Sequence, residues 1–150
     1  MNGRSISEKA EHLSSRRARL LLPLGVAYVL IQVLFLATLG QLQPTGELIV
    51  KISAWLLLSM LLLAGISSKG FWLQPREVRN LIDDESTRAN RMDAMRFGFI
   101  FGMLTCIVLY FITMLEPIDG RAAVHVVLSD GLGAALLRWG WLEMVARRGA

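Results

Sequence analysis

Apolar residues along this chain are gathered into blocks rather than dispersed. Four blocks run from about Leu20 to Leu39, Leu48 to Ile66, Phe97 to Leu115 and Ala122 to Leu142. Each is close to the roughly 20 residues that a helix needs to cross a bilayer. The pattern predicts an all-α fold: a four-helix transmembrane bundle made of two helical hairpins. The first block holds few polar residues (Tyr28, Gln32 and Thr38), and the second holds Lys51, Ser53 and Ser59. The third opens on Phe97, Phe99 and Phe101. The fourth is the least apolar, with His125, Ser129, Asp130 and Arg138, so a re-entrant or interfacial helix is its alternative reading.

Composition supports the membrane reading. Of 150 residues, 54% are hydrophobic and 19% charged, and mean hydropathy is +0.50. Soluble domains carry about 25% charge. A conventional soluble enzyme domain is therefore excluded, and so is a disulfide scaffold, because Cys106 is the single cysteine. The first block is longer than the roughly 7–15 residues of a signal h-region, and no A-x-A site follows it. It reads as an uncleaved anchor.

Positive charge sets the expected topology. Arg4, Lys9, Arg16, Arg17 and Arg19 precede the first span. Six more cations lie between spans two and three, from Lys69 to Arg96, and Arg147 and Arg148 follow span four. The two opposite connections hold only Arg121. Short loops rich in Lys and Arg stay cytoplasmic, so both termini and the central loop are expected inside, in a bacterial inner membrane. The division is then a basic segment 1–19, a membrane domain 20–150 with spans 20–39, 48–66, 97–115 and 122–142, and a cytoplasmic loop 67–96. A basic face beside anionic lipid accounts for the net charge of +4 and pI near 9.8 without nucleic acid. Trp72, Trp139 and Trp141 fall where interfacial rings are favoured, whereas Trp55 lies inside span two.

In the loop, Val78, Leu81 and Ile82 recur at i, i+3 and i+4, one apolar helical face after Pro75. This predicts a short amphipathic cytoplasmic helix, on the membrane surface, against the bundle or on a partner. Asp83, Asp84 and Glu85 follow. Consecutive helical residues point about 100° apart, so these acids suit a helix start rather than a cation site. Asp84 also sits four residues before Arg88, a stabilising spacing. That helix is expected to run through Ala89, Met92 and Ala94 into span three. The stretch from Asp84 to Arg91, with Ala94 and the span from Gly98, resembles an element of small four-span bacterial membrane proteins. The resemblance covers about 20 residues. It implies an architecture and no catalytic residue.

The two hairpins echo each other at an offset of 73: Leu42-Gln43-Pro44 matches Leu115-Glu116-Pro117, Gly25 matches Gly98, and Gln32 falls opposite Thr105. The simplest reading is that helical hairpins share such features. A duplicated hairpin is the alternative.

Asp130 is the most informative residue. Counted at about 1.5 Å per residue, it lies near the midplane, where a charged aspartate costs about 2.5–3.5 kcal/mol on insertion scales. Gln32, Ser59 and Thr105 fall at similar depth, so each span contributes to one expected polar layer. Hydrogen-bond glue between helices is its simplest role; a proton or ion step and an intramembrane partner are the alternatives. Arg138, eight residues after Asp130, is too distant for a direct pair and is expected to snorkel to the interface. Gly98 and Gly102 form a GxxxG, and Gly131 and Gly133 mark similar small-residue faces on span four. Such residues let backbones pack closely.

Enzyme chemistry finds little support. Asp130-Gly131-Leu132-Gly133-Ala134 resembles the start of the CDP-alcohol phosphotransferase motif. Ala135 stands where that family has arginine, and no acid follows until Glu143. His12 and His125 are expected on opposite sides, which does not suit a shared haem. Cys106 is flanked by apolar residues and expected inert. Walker, zinc and serine-elbow patterns are missing. No cofactor, metal or nucleic-acid partner is expected. The favoured reading is a non-enzymatic accessory or regulatory membrane protein, in contact with lipid and with a membrane partner or further copies of itself. The contacts would involve Val78, Leu81, Ile82, Asp84, Arg88 and the Asp130 face. A small transporter or ion-conducting oligomer built around Asp130 is the alternative.

Overall fold

The computed structural model describes residues 6–39, 46–67 and 85–148. The chain is all-helical over these residues: α1 (Ile6–Leu39), α2 (Gly46–Ser67), α3 (Glu85–Leu115) and α4 (Gly120–Arg148). Each is long and apolar enough to cross a membrane. In hydrocarbon no water satisfies backbone N–H and C=O groups, so long apolar runs close their hydrogen bonds internally as helices. The expected helix around Val78, Leu81 and Ile82, and Asp84 before α3, lie outside the described residues. Arg88 is exposed on α3. As expected, α3 continues without a break from Glu85 into the apolar span. α1 likewise begins well before its apolar stretch.

The turn between α3 and α4 is short. Glu116 N–H donates to Ile112 O (2.9 Å), closing the last turn of α3. Ala123 N–H donates to Asp119 O (3.0 Å), opening α4 just after Pro117. So short a connection makes antiparallel neighbours of α3 and α4.

The least apolar helix is the central one. α4 packs against α3 along one side and α1 along another, and α2 touches it more lightly. In its spanning window 28% of residues are buried, against 11% in α2 and α3. A helix that faces protein needs small residues more than hydrophobicity, and α4 carries Gly131, Gly133, Ala134, Ala135 and Gly140. Its buried Leu136 and Trp139 form the core with Leu21 and Tyr28 of α1, Ile66 of α2 and Ala94 of α3. This segment is one continuous helix of 29 residues, so the re-entrant alternative gives way. Large apolar side chains on the other helices, such as Leu34, Met60, Phe99 and Leu115, point outward.

The arrangement is not two equivalent hairpins. α3 and α4 form a tight one, but α1 lies along α4 rather than along α2. Gly25 and Gly98, the echoed pair, both pack on α4: Gly25 against Leu136 and Leu137, and Gly98 against Gly131 and Ala135. What the two halves share is therefore how α1 and α3 meet α4. α2 stands aside and leaves a groove of about 390 Å³ over α4, lined by Ser59, Leu63, Gly98, Gly131 and Leu132.

Candidate functional site

The predicted mid-depth layer resolves into three separate pairs. Asp130 lies ten residues into α4, about 15 Å along its axis. Thr105 of α3 donates to its Oδ2 at 3.2 Å. The Thr105 hydroxyl also lies 3.0 Å from the Phe101 carbonyl oxygen, and its single proton serves one acceptor at a time. Ser129 of α4 donates to Gln32 Oε1 of α1 at 3.4 Å, with both residues buried. Ser59 of α2 shares a hydrogen bond with the Tyr28 hydroxyl of α1 at 3.3 Å. Gln32 and Ser59 thus do not converge on Asp130, which, of these residues, bonds Thr105. The reason is angular. Ser129 and Asp130 are consecutive and point about 100° apart, so they serve different neighbouring helices.

Asp130 is exposed. Its carboxylate sits on the outer surface of the bundle against α3. Buried polar residues cluster instead on the α1 side of α4, at His125, Ser129 and Gln32.

Toward the end that carries the termini, Arg138 does more than snorkel. Its Nε donates to Asp93 Oδ2 of α3 at 2.9 Å, and its guanidinium lies over the Phe97 ring, 5.6 Å from the centroid. A turn further, Glu143 is buried and accepts the Trp139 indole N–H at 3.3 Å. Thr87 and Arg91 of α3 are buried at the same end. An acid on α3 at the depth of Arg138 was the available signal for the Asp93 pair.

At the opposite end His125 is buried between two rings. Phe35 stacks on it with centroids 4.7 Å apart, and Trp55 tilts against it at 4.3 Å. Trp55, the tryptophan out of place in span two, is thus explained by His125. The two residues also leave polar atoms without partners: His125 Nε2 and Trp55 Nε1 are buried and unbonded. Each such atom costs about 1–3 kcal/mol.

The four glycines differ in role. A Cβ on Gly98 would stand 2.5 Å from Gly131 O and 2.7 Å from Ala135 Cβ. One on Gly133 would meet Val29 Cγ2 at 2.8 Å, so Gly133 serves α1. Gly102 has room, its nearest neighbours being 3.8 Å away. Gly140, unremarked in the sequence, is as tight as Gly98: its Cβ would be 2.7 Å from Leu22 N.

Cys106 is exposed on α3. Among the described residues, no three His, Cys, Asp or Glu side chains are grouped to hold a metal ion. The site is a set of interhelical polar contacts on a scaffold of helices long and apolar enough to cross a membrane. Comparison with protein-family models, curated proteins and solved structures finds no match to the chain.

Proposed function

We propose that this is a non-enzymatic accessory or regulatory protein of a bacterial inner membrane, with both termini cytoplasmic, that acts through helix–helix and loop contacts. The observation that carries the reading is Asp130. A carboxylate at mid-depth is costly unless it faces protein or a water-filled cavity, yet within one chain it lies on the surface with one shared hydroxyl. A neighbouring transmembrane helix would cover it and supply the missing donors. The arginine-rich segments beside α1 and α3 support the orientation.

Gentle purification from native membranes, with the intact mass and composition of the complex determined, tests this. The expected result is a stoichiometric larger membrane protein bound through the Asp130 face. The same exposure favours a second reading, a homo-oligomer that conducts protons or ions where Asp130 side chains meet. A complex containing this chain alone, with flux in proteoliposomes that Asp130→Asn abolishes, would replace the first reading by the second.

A further inference from the structure

The groove between α2 and α3 over α4 has a volume of about 390 Å³. Gly98 and Gly131 form its floor, Leu63 and Ile66 of α2 one wall, and Met95 and Phe99 of α3 the other. Leu63 and Phe99 are exposed, so the groove opens sideways onto the apolar outer surface. From Leu56 to Ile66 it is about 15 Å long, half of a hydrocarbon core of about 30 Å. At the far end Trp55 of α2 packs on His125 of α4, with ring centroids 4.3 Å apart, and bounds it. A crossing helix would need a seat through the whole thickness. A groove one leaflet long fits a single acyl chain, and the glycine floor lets that chain lie close to backbone.

Charge selects the head that accompanies the chain. Ile66 and Met95 mark the end of the groove nearest the termini. Arg88 precedes Met95 by two helical turns on the same face of α3, and it is exposed there. Its Cα lies about 10 Å beyond that of Met95 along the axis. The headgroup layer begins where the apolar walls end, and the long arginine stem lets the guanidinium reach it. A guanidinium pairs with a phosphate through two parallel N–H···O bonds. The acids on the neighbouring turns of α3, Glu85 and Asp93, do not line the groove, and Asp93 is held by Arg138. A net negative head is favoured at this end.

We infer that this groove holds one acyl chain of an anionic phospholipid, from the leaflet on the side of the termini, with its phosphate at Arg88. The chain fills the space that α2 leaves over α4 and supplies the contact atoms that an empty groove would forfeit. The inference rests on the membrane placement of the chain and not on Asp130. That residue lies about 160° around α4 from Leu128 of the groove lining, and it bonds Thr105 instead.

The test is native mass spectrometry of the full chain in mild detergent, titrated with phosphatidylglycerol and with phosphatidylcholine of the same acyl chains, whose choline cation offsets its phosphate. One phosphatidylglycerol should be retained per chain, at least ten-fold more tightly than phosphatidylcholine. Leu63→Trp, at an exposed position, fills the groove and should weaken retention of both lipids about ten-fold. Arg88→Gln leaves the groove intact, so phosphatidylglycerol retention should fall to the phosphatidylcholine level while that of phosphatidylcholine is unchanged. Three results overturn the inference: equal retention of the two lipids by the wild type, wild-type retention in either folded variant, or a bound protein subunit that Leu63→Trp releases while lipid retention persists.

Discussion

Gly98 and Gly131 meet backbone to backbone across the α3–α4 seam. A methyl group on Gly98 would stand 2.5 Å from the Gly131 carbonyl oxygen, and one on Gly131 would stand 3.2 Å from that of Gly98. A backbone oxygen cannot swing aside as a side chain can. Gly98→Ala should therefore push the helices apart, at an overpacking cost of about 1–3 kcal/mol. Gly102→Ala, one turn along with 3.8 Å of room, should change stability by less than about 0.5 kcal/mol. Thermal unfolding of both variants in detergent compares them directly. Equal destabilisation would show that the seam is looser than the structure has it.

The three mid-depth pairs should behave as independent units. A double-mutant cycle on Gln32→Leu and Ser129→Ala should give a coupling of about 0.6 kcal/mol, the usual size of interhelical hydrogen bonds in membranes. A cycle on Gln32→Leu and Thr105→Val should give a coupling near zero, because those side chains bond different residues. Comparable couplings in the two cycles would restore the single layer that depth alone suggested.

The relative level of Gln32, Thr105 and Asp130 along their helices was legible in the sequence, and direction around each helix was not. A rise of about 1.5 Å per residue placed Gln32, Ser59, Thr105 and Asp130 at one level. The order of helices in the bundle decides which neighbour each side chain meets, and no periodicity in one span reveals it. Hydropathy ranked span four as the least apolar for a related reason. It measures preference for lipid, whereas Gly131, Ala134, Ala135 and Gly140 face protein. Trp55 and His125 each stood out singly, and only packing brings their rings together.

Asp93 and Arg138 join α3 to α4 through one hydrogen-bonded ion pair at 2.9 Å. Both side chains are partly exposed, at 50% and 38%, so the pair should contribute at most about 1 kcal/mol. Asp93→Asn and Arg138→Gln should destabilise by similar small amounts. The exchange Asp93→Arg with Arg138→Asp should recover part of the loss that either reversal alone produces. Chemical denaturation in mixed micelles measures all of these. Additive losses in the exchange variant would show that the two charges do not act on each other.

Asp130→Leu separates a structural from an assembly role for the mid-depth carboxylate. Within one chain the substitution removes a bond from a threonine hydroxyl that has a second acceptor in Phe101 O. It also replaces a carboxylate at mid-depth with a side chain that costs nothing there. The isolated chain should therefore be no less stable, and its thermal midpoint should stay level or rise. Its assembly should suffer, because a neighbour that hydrogen-bonds Asp130 loses its acceptor. Loss of the native complex with an unchanged or raised midpoint is the expected result. A fall in the midpoint would assign Asp130 to internal packing, and an intact complex would move the contact surface elsewhere on the bundle.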